Sequence, residues 1–296
     1  MAIPRSGLSD KLRLFLRGQN FRDSSQERGS AQLVMLRGCK INADKSLSLG
    51  VSPEVYTNRY DDVLVVFGTK EKGQPYLEAF RASAKPGLEW IRSPQYAGSG
   101  RGCPTVQPGQ YQYVRGLHRG HEALRQRPGC PVVVVRDLDQ DAKLELSDRV
   151  DYPTTTGINI HAGGTSERVG WNSSGCQVLW GGWNGPWVVF HDLVYRVAKK
   201  QEVFYYTVVD FEHFAKWHDA GRERWKYEWL MFGSYGRAVE QLQAALAQRG
   251  YYGKALVDGE FGRVTDEGVR AYQRKAGLRP TGIVTPGLLQ RLRSGA

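Results

Sequence analysis

The sequence predicts an α+β protein, a mostly-β region over residues 1–230 followed by a small three-helix bundle over 234–296. Three observations carry that expectation. The apolar runs VLVVF at 63–67 and VVVV at 132–135 are short, β-branched and bounded by turn residues, in a chain of 296 residues with 35 glycines and 15 tyrosines. Such runs favour strands over helices. Between Trp183 and Tyr227 the residues Val194, Val197, Phe204, Tyr206, Phe211, Phe214 and Trp217 are interleaved with Lys, Arg and Glu, as expected of at least one helix packed on a sheet. After Tyr235 the apolar residues recur at helical spacing between glycine and proline punctuation.

The elements follow in order. The first region is long enough to bury a core of its own. Its boundary falls near Glu228 to Ser234, without a Pro-rich or Ser-rich linker. The first C-terminal helix carries Val239, Leu242 and Leu246 and stops at Gly250, a C′ glycine. The second takes Thr265 as N-cap with Asp266 and Glu267 in its first turn, buries Val269 and Tyr272, and ends at Gly277. The third begins with Thr285 as cap and Pro286 at N1, and its stripe is Leu288, Leu289 and Leu292.

The net charge of +11 attracts polyanions in general. Lysines and arginines are spread along the chain rather than gathered on one element or interleaved with a stacking platform, which argues against nucleic acid as partner. Bacterial envelopes are polyanionic as well. The only apolar run near the start, LRLFL at 12–16, is broken by Arg13 and is too short for a signal-peptide core, and no membrane span is present. Cys39, Cys103, Cys130 and Cys176 are widely separated, so reduced thiols are expected, with a Cys103 to Cys130 bridge as the alternative.

The segment Gly157 to Leu179, GINIHAGGTSERVGWNSSGCQVL, sets His161 and Cys176 among glycine and small polar residues. A thiol nucleophile and its base are presented in this way. GINIH reads as a short strand with Ile158 and Ile160 on one face, Asn159 and His161 on the other, and His161 at its end. Ala162 to Arg168 reads as a surface loop. Ser173, Ser174 and Gly175 then lead into Cys176, which is expected to open a second strand. Small residues before a nucleophile admit the substrate backbone and leave main-chain N–H groups for an oxyanion, with Gly175 and Cys176 as the expected donors. The competing reading makes Cys176 a buried small hydrophobe and His161 a core histidine.

The order Ile-His, glycine loop, VGxxSSGC resembles the signature of the L,D-transpeptidase family of cell-wall enzymes. That resemblance implies a mostly-β catalytic domain in which Cys176 is acylated by a peptidoglycan stem peptide, cut after its dibasic third residue, with His161 as base. Ser174 and Gly175 join the catalytic set, and His118, Asn159, Ser173 and Trp171 are the expected substrate-binding residues. The family has an arginine two residues after its cysteine, where Val178 stands here, and a glycine directly after its histidine, where Ala162 stands. Further on, LQxxL…GYY, DGEFGxxT, VRAYQRKAGL and TGIVTPGLL fall in the order and spacing of the type 1 peptidoglycan-binding domain family, a wall-anchoring module without catalysis of its own. Its aromatics Tyr251, Tyr252, Phe261 and Tyr272 read equally as core or as contact.

Together the resemblances imply an endolysin-type peptidoglycan hydrolase of a phage, an L,D-endopeptidase or L,D-carboxypeptidase. It is expected as a monomer that needs no cofactor or metal, sits in the cytoplasm of the producing cell and acts on the wall after release. The alternatives are an L,D-transpeptidase that cross-links peptidoglycan, a non-catalytic wall-binding structural protein, or a muramidase using carboxylates among Glu122, Asp137 and Asp151. Two other constellations stand out. RDLDQDAKLELSD at 136–148 puts Asp137, Asp139 and Asp141 at the 1, 3, 5 spacing of a calcium loop, with Glu145 and Asp148 at 9 and 12 but Ala142 in place of the loop glycine. In GLHRGH, His118 and His121 have the spacing of two zinc ligands with no third indicated, and His118 is placed more naturally in the cleft of His161.

Overall fold

The computed structural model describes residues 2–54, 58–93, 95, 102–143, 149–155 and 157–294. It is an α+β protein whose β-rich part is a closed eight-stranded barrel. Two compact units divide the chain. One comprises Met1–Ser9, Ser24–Gln107 and Tyr111–Glu212, the other Asp10–Asp23, Pro108–Gln110 and His213–Ala296.

Around the barrel the strands run Ile160–Ala162, Gln177–Leu179, Pro75–Ser83, Asp62–Thr69, Gln32–Arg37, Phe204–Asp210, Gly109–His118 and His121–Gln126, and the pairing of Ile160 with Leu124 closes it. Gln32–Arg37 is buried at every residue and paired on both sides, parallel to Phe204–Asp210 and antiparallel to Asp62–Thr69. That explains its continuous apolar run in place of an alternating one. His118 pairs directly with His121 across a two-residue turn in which Arg119 has φ +50 and Gly120 φ +86. Both central residues of a tight hairpin of this kind take positive φ, easily for glycine and rarely for arginine.

The mixed segment after Trp183 forms the helix Trp187–His191, which continues as a wider turn through Val197, and then the helix Phe211–Asp219. Arg115 donates to the carbonyl oxygens of Val194, Ala198, Lys199 and Gln201 at 2.8–3.0 Å. One guanidinium thereby satisfies the carbonyls orphaned where that helix ends. All four cysteines are free thiols, so Cys103 and Cys130 are not bridged. Among the described residues no helix is long and apolar enough to cross a membrane.

In the second unit Phe15 meets Phe214 and Trp217 edge to face at 5.2 and 5.3 Å. Each such pair adds about 0.5–1.5 kcal/mol beyond burial. The helices Arg237–Gln248, Arg263–Lys275 and Pro286–Ser294 follow. Thr285 caps the last of them, its Oγ1 accepting the N–H of Leu288 at 3.2 Å. The middle helix starts earlier than its sequence signals suggest. Gly262 is its N-cap, and Thr265 lies inside it, 1 % exposed, with Oγ1 taken by Gln243 Nε2 at 3.1 Å. A threonine hydroxyl consumed by tertiary packing is not available to cap.

Gln243 is fully buried, and its Oε1 accepts the N–H groups of Asp258 and Gly259 at 3.0 and 2.9 Å. Gln243→Leu strands both donors and should destabilise the folded chain by about 2–3 kcal/mol, read as a lower urea midpoint. An unchanged midpoint would mean that water replaces the amide.

Candidate active site

The two short strands Ile160–Ala162 and Gln177–Leu179 pair in parallel, which sets His161 opposite Val178. Residues two apart in extended backbone share a face, so Cys176, two before Val178, comes to the face of His161. His161 is the middle residue of its strand, and Cys176 stands one residue before the other.

The turn before the thiol is built from hydrogen bonds. Gly175 has φ +138, and a Cβ there would lie 2.7 Å from Pro104 Cγ and 2.8 Å from its carbonyl oxygen, so no larger residue fits. Gly175 N–H donates to Ser173 Oγ at 3.1 Å, and that hydroxyl donates to the Cys176 carbonyl at 2.6 Å. Ser173, expected as a substrate-binding residue, is 2 % exposed and braces the turn, and the Gly175 N–H, expected as an oxyanion donor, is already committed to it. Among the described residues the N–H groups of Ser174 and Cys176 carry no partner, so both are free to donate to a group in the cleft.

Cys176 is 9 % exposed and its Sγ–H donates to Gly157 O at 3.5 Å. His161 Nδ1 lies 2.8 Å from the carbonyl oxygen of Ala162. A carbonyl only accepts, so Nδ1 carries the proton and Nε2 holds the lone pair of a base. The ring of His118 stacks on His161 with centroids 4.5 Å apart, and its Nδ1 is 2.8 Å from Asn159 Nδ2. One donor atom from each of His118, His161 and Cys176 lies within 4.8 Å of the other two. Asn159, expected as a substrate-binding residue, is 4 % exposed and holds His118 through its side-chain amide.

Burial dominates the electrostatics. It holds His161 down to about 4, against the opposing effect of the Ala162 hydrogen bond, and it lowers His118 with help from Arg119 and Arg125. Burial also pushes the Cys176 thiol up, partly offset by the backbone N–H of Asn159 and by Arg119. At neutral pH the pair is therefore an uncharged thiol beside an uncharged imidazole, which suits proton transfer during attack better than a preformed ion pair.

These groups open onto a cleft of about 250 Å³. Trp171, 60 % exposed, and the half-buried Ser174 line it, together with Trp90, Arg119, His121 and Trp183. Trp90 donates its indole N–H to the Trp171 carbonyl at 2.9 Å, and His121 stacks on Trp183 at 4.4 Å. The sequence signal for Arg119 and His121 was the GLHRGH turn itself, since a two-residue hairpin sets its flanking histidines directly opposite each other with Arg119 between them. Trp90 and Trp183 carry no such local mark.

The aspartate constellation lies outside the cleft lining. The carboxylates of Asp137, Asp139 and Asp141 have oxygens within 4.8 Å of one another, and Asp137 accepts the N–H groups of Gln140 and Ala142. Ala142 itself takes φ +62 where a calcium loop has glycine. Glu145 and Asp148 lie outside the described residues.

Residues 235–292 match the family model described as "Putative peptidoglycan binding domain", which bears out the resemblance of the C-terminal motifs. The chain is also similar to N-acetylmuramoyl-L-alanine amidase CwlM of Mycobacterium tuberculosis, 45 % identical over 58 residues. That match spans 20 % of this chain and 14 % of the amidase. No solved structure matches.

Between pH 6.5 and about 4 an unfolded His161 binds a proton that the folded one refuses, so stability rises with pH across that window and falls as acid is added. From pH 7 to 5 the loss should be about 2 kcal/mol. Thermal melts of wild type and His161→Gln over that range check it: the wild type should lose more, and equal losses would assign the effect to other groups.

Proposed function

We propose that this protein is a peptidoglycan hydrolase in which a barrel-borne thiol, within residues 1–230, cuts stem peptides while residues 234–296 hold the chain on the wall. The observation that carries the reading is the convergence of Cys176, His161 and His118 within 4.8 Å on one cleft of a chain that also bears a peptidoglycan-binding domain. The similarity to a wall amidase supports the same target.

The chemistry follows from the tautomer. Cys176 Sγ attacks the scissile carbonyl carbon as its proton passes to His161 Nε2, and the N–H groups of Ser174 and Cys176 face the oxyanion. Collapse breaks the C–N bond, the leaving amine takes the proton from His161, and a thioester remains on Cys176. Water then gives its proton to His161 and attacks the thioester, which frees a carboxyl end and restores the thiol. Bracketing indoles of Trp90, Trp171 and Trp183 give the cleft flat apolar walls for a peptide bearing small side chains.

Water as the acceptor is favoured by Val178. Fully buried and packed with Tyr60 and Val169, it offers no cation where the transpeptidase signature has an arginine. The product is then an L,D-endopeptidase or L,D-carboxypeptidase cut, as in a phage endolysin that reaches the wall after release from the producing cell. No observation favours a muramidase. Glu122 is bonded to His191 and Asp151 to Arg136, and neither they nor Asp137 line the cleft.

Digestion of purified sacculi by wild type and Cys176→Ala, with released fragments identified by mass, tests this reading. New peptide termini should form with wild type and be reduced at least about a thousandfold in the mutant, as expected when a nucleophile is removed. Equal release by both proteins, or none by either, would sink the thiol mechanism, and joined stem peptides without released ones would make it a transpeptidase.

A further inference from the structure

We infer that His118, His161 and Cys176 also form a binding site for a thiophilic divalent cation of the zinc class, open to the cleft at its fourth position. The site itself stands on geometry alone. Its consequence, that the bound ion shields the thiol and silences hydrolysis, rests on the reading of Cys176 as nucleophile.

Two imidazole nitrogens and a thiolate are a donor set that selects zinc-like ions over calcium or magnesium. A tetrahedral site with Zn–N near 2.0–2.1 Å and Zn–S near 2.3 Å separates its donor atoms by roughly 3.5 Å. Here the three lie within 4.8 Å of one another, and His118, half-buried on its hairpin, is the ring whose rotation would close the difference. His161 is already prepared, because the ring nitrogen turned away from the cleft donates to a carbonyl, as the outer partners of metal-bound histidines do.

Asn159 supplies the matching partner for His118. Its Oδ1 is buried without a hydrogen-bond partner among the described residues, while its Nδ2 meets His118 Nδ1. The two ends of an amide exchange by a half-turn. In the exchanged orientation Oδ1 accepts a proton on Nδ1, which frees the lone pair of His118 Nε2 for the ion. Binding releases the Cys176 proton to solvent, and no electrons are transferred. The Sγ lone pair that binds the ion is the one that attacks a carbonyl, so the two events exclude each other.

Metal-stripped full-length protein is loaded with zinc chloride, desalted and assayed for bound metal, and a cobalt-loaded sample is scanned for the thiolate-to-cobalt charge-transfer band. One zinc per chain and the cobalt band are expected in wild type. Both should vanish in Cys176→Ala, which keeps Cys39, Cys103 and Cys130, and zinc affinity should fall at least about tenfold in His118→Ala. Zinc should slow alkylation of Cys176, mapped by mass, in wild type, a readout that needs no variant to fold. Failure to retain zinc, or retention that survives Cys176→Ala, would overturn the site whatever the protein does to sacculi. Sacculus hydrolysis that disappears on stripping and returns with zinc would overturn the shielding, and metal-free protein that hydrolyses and is silenced by one equivalent of zinc would support it.

Discussion

The parallel pairing of Ile160–Ala162 with Gln177–Leu179 is the constraint on which the site depends. Parallel neighbours need a crossover, and here the crossover is the glycine loop and the Ser173–Gly175 turn. Gly163 passes so close to Tyr60 Oη and the Leu179 carbonyl that a Cβ would lie 2.5 and 2.8 Å from them, and Tyr60 Oη in turn accepts the Gly164 N–H at 2.8 Å. Arg81 clamps the loop by its bidentate pair with Glu167 at 2.6 and 3.0 Å. The glycines serve close backbone approach, and the thiol inherits a defined position from the ladder they permit.

Burial then decides the chemistry of that position. Water is largely excluded from Cys176 and His161, so both charged forms are disfavoured, and the site rests neutral. The counterweight is local: for the thiol a backbone N–H from Asn159 and the guanidinium of Arg119 at the rim, and for the imidazole the carbonyl of Ala162. Arg119 has no ion-pair partner among the described residues and occupies a backbone region that arginine seldom takes. Strain of this kind, about 1 kcal/mol or more, persists only where the flanking strands impose it.

The C-terminal motifs owe their spacing to a buried polar network. Asp266 and Arg270 pair at 2.6 Å while 2 % and 5 % exposed, and Arg270 also donates to the Pro280 carbonyl at 2.5 Å. A Cβ at Gly282 would strike Asp266 Oδ1, so the glycine of the TG step is required by the ion pair and not by its turn alone. Phe261 and Tyr272 are core residues, and Tyr251 and Tyr252 are half-buried. Buried networks of this completeness specify one arrangement, because each unpaired member would carry its full desolvation cost.

What the sequence determined by itself was local or periodic. The β-branched run at 63–67 marked a barrel strand and the run at 132–135 led into a strand of a separate three-stranded sheet, glycine and proline marked the helix ends, and the DGEFG and VRAYQRKAGL motifs marked the segment that matches the peptidoglycan-binding family model. GINIH and SSGC marked the histidine and the cysteine because each sits beside backbone that only small residues can make. Tertiary structure alone decided which groups meet. The parallel register set Cys176 on the face of His161, burial turned Ser173 and Asn159 inward as braces, folding drew Trp90 and Trp183 to the rim, and the contact of Thr265 with Gln243 left the Arg263–Lys275 helix to start ahead of Thr265. Each of these depends on pairing and burial between segments distant in the chain, and hydrogen bonds of that kind leave no period or spacing in a sequence.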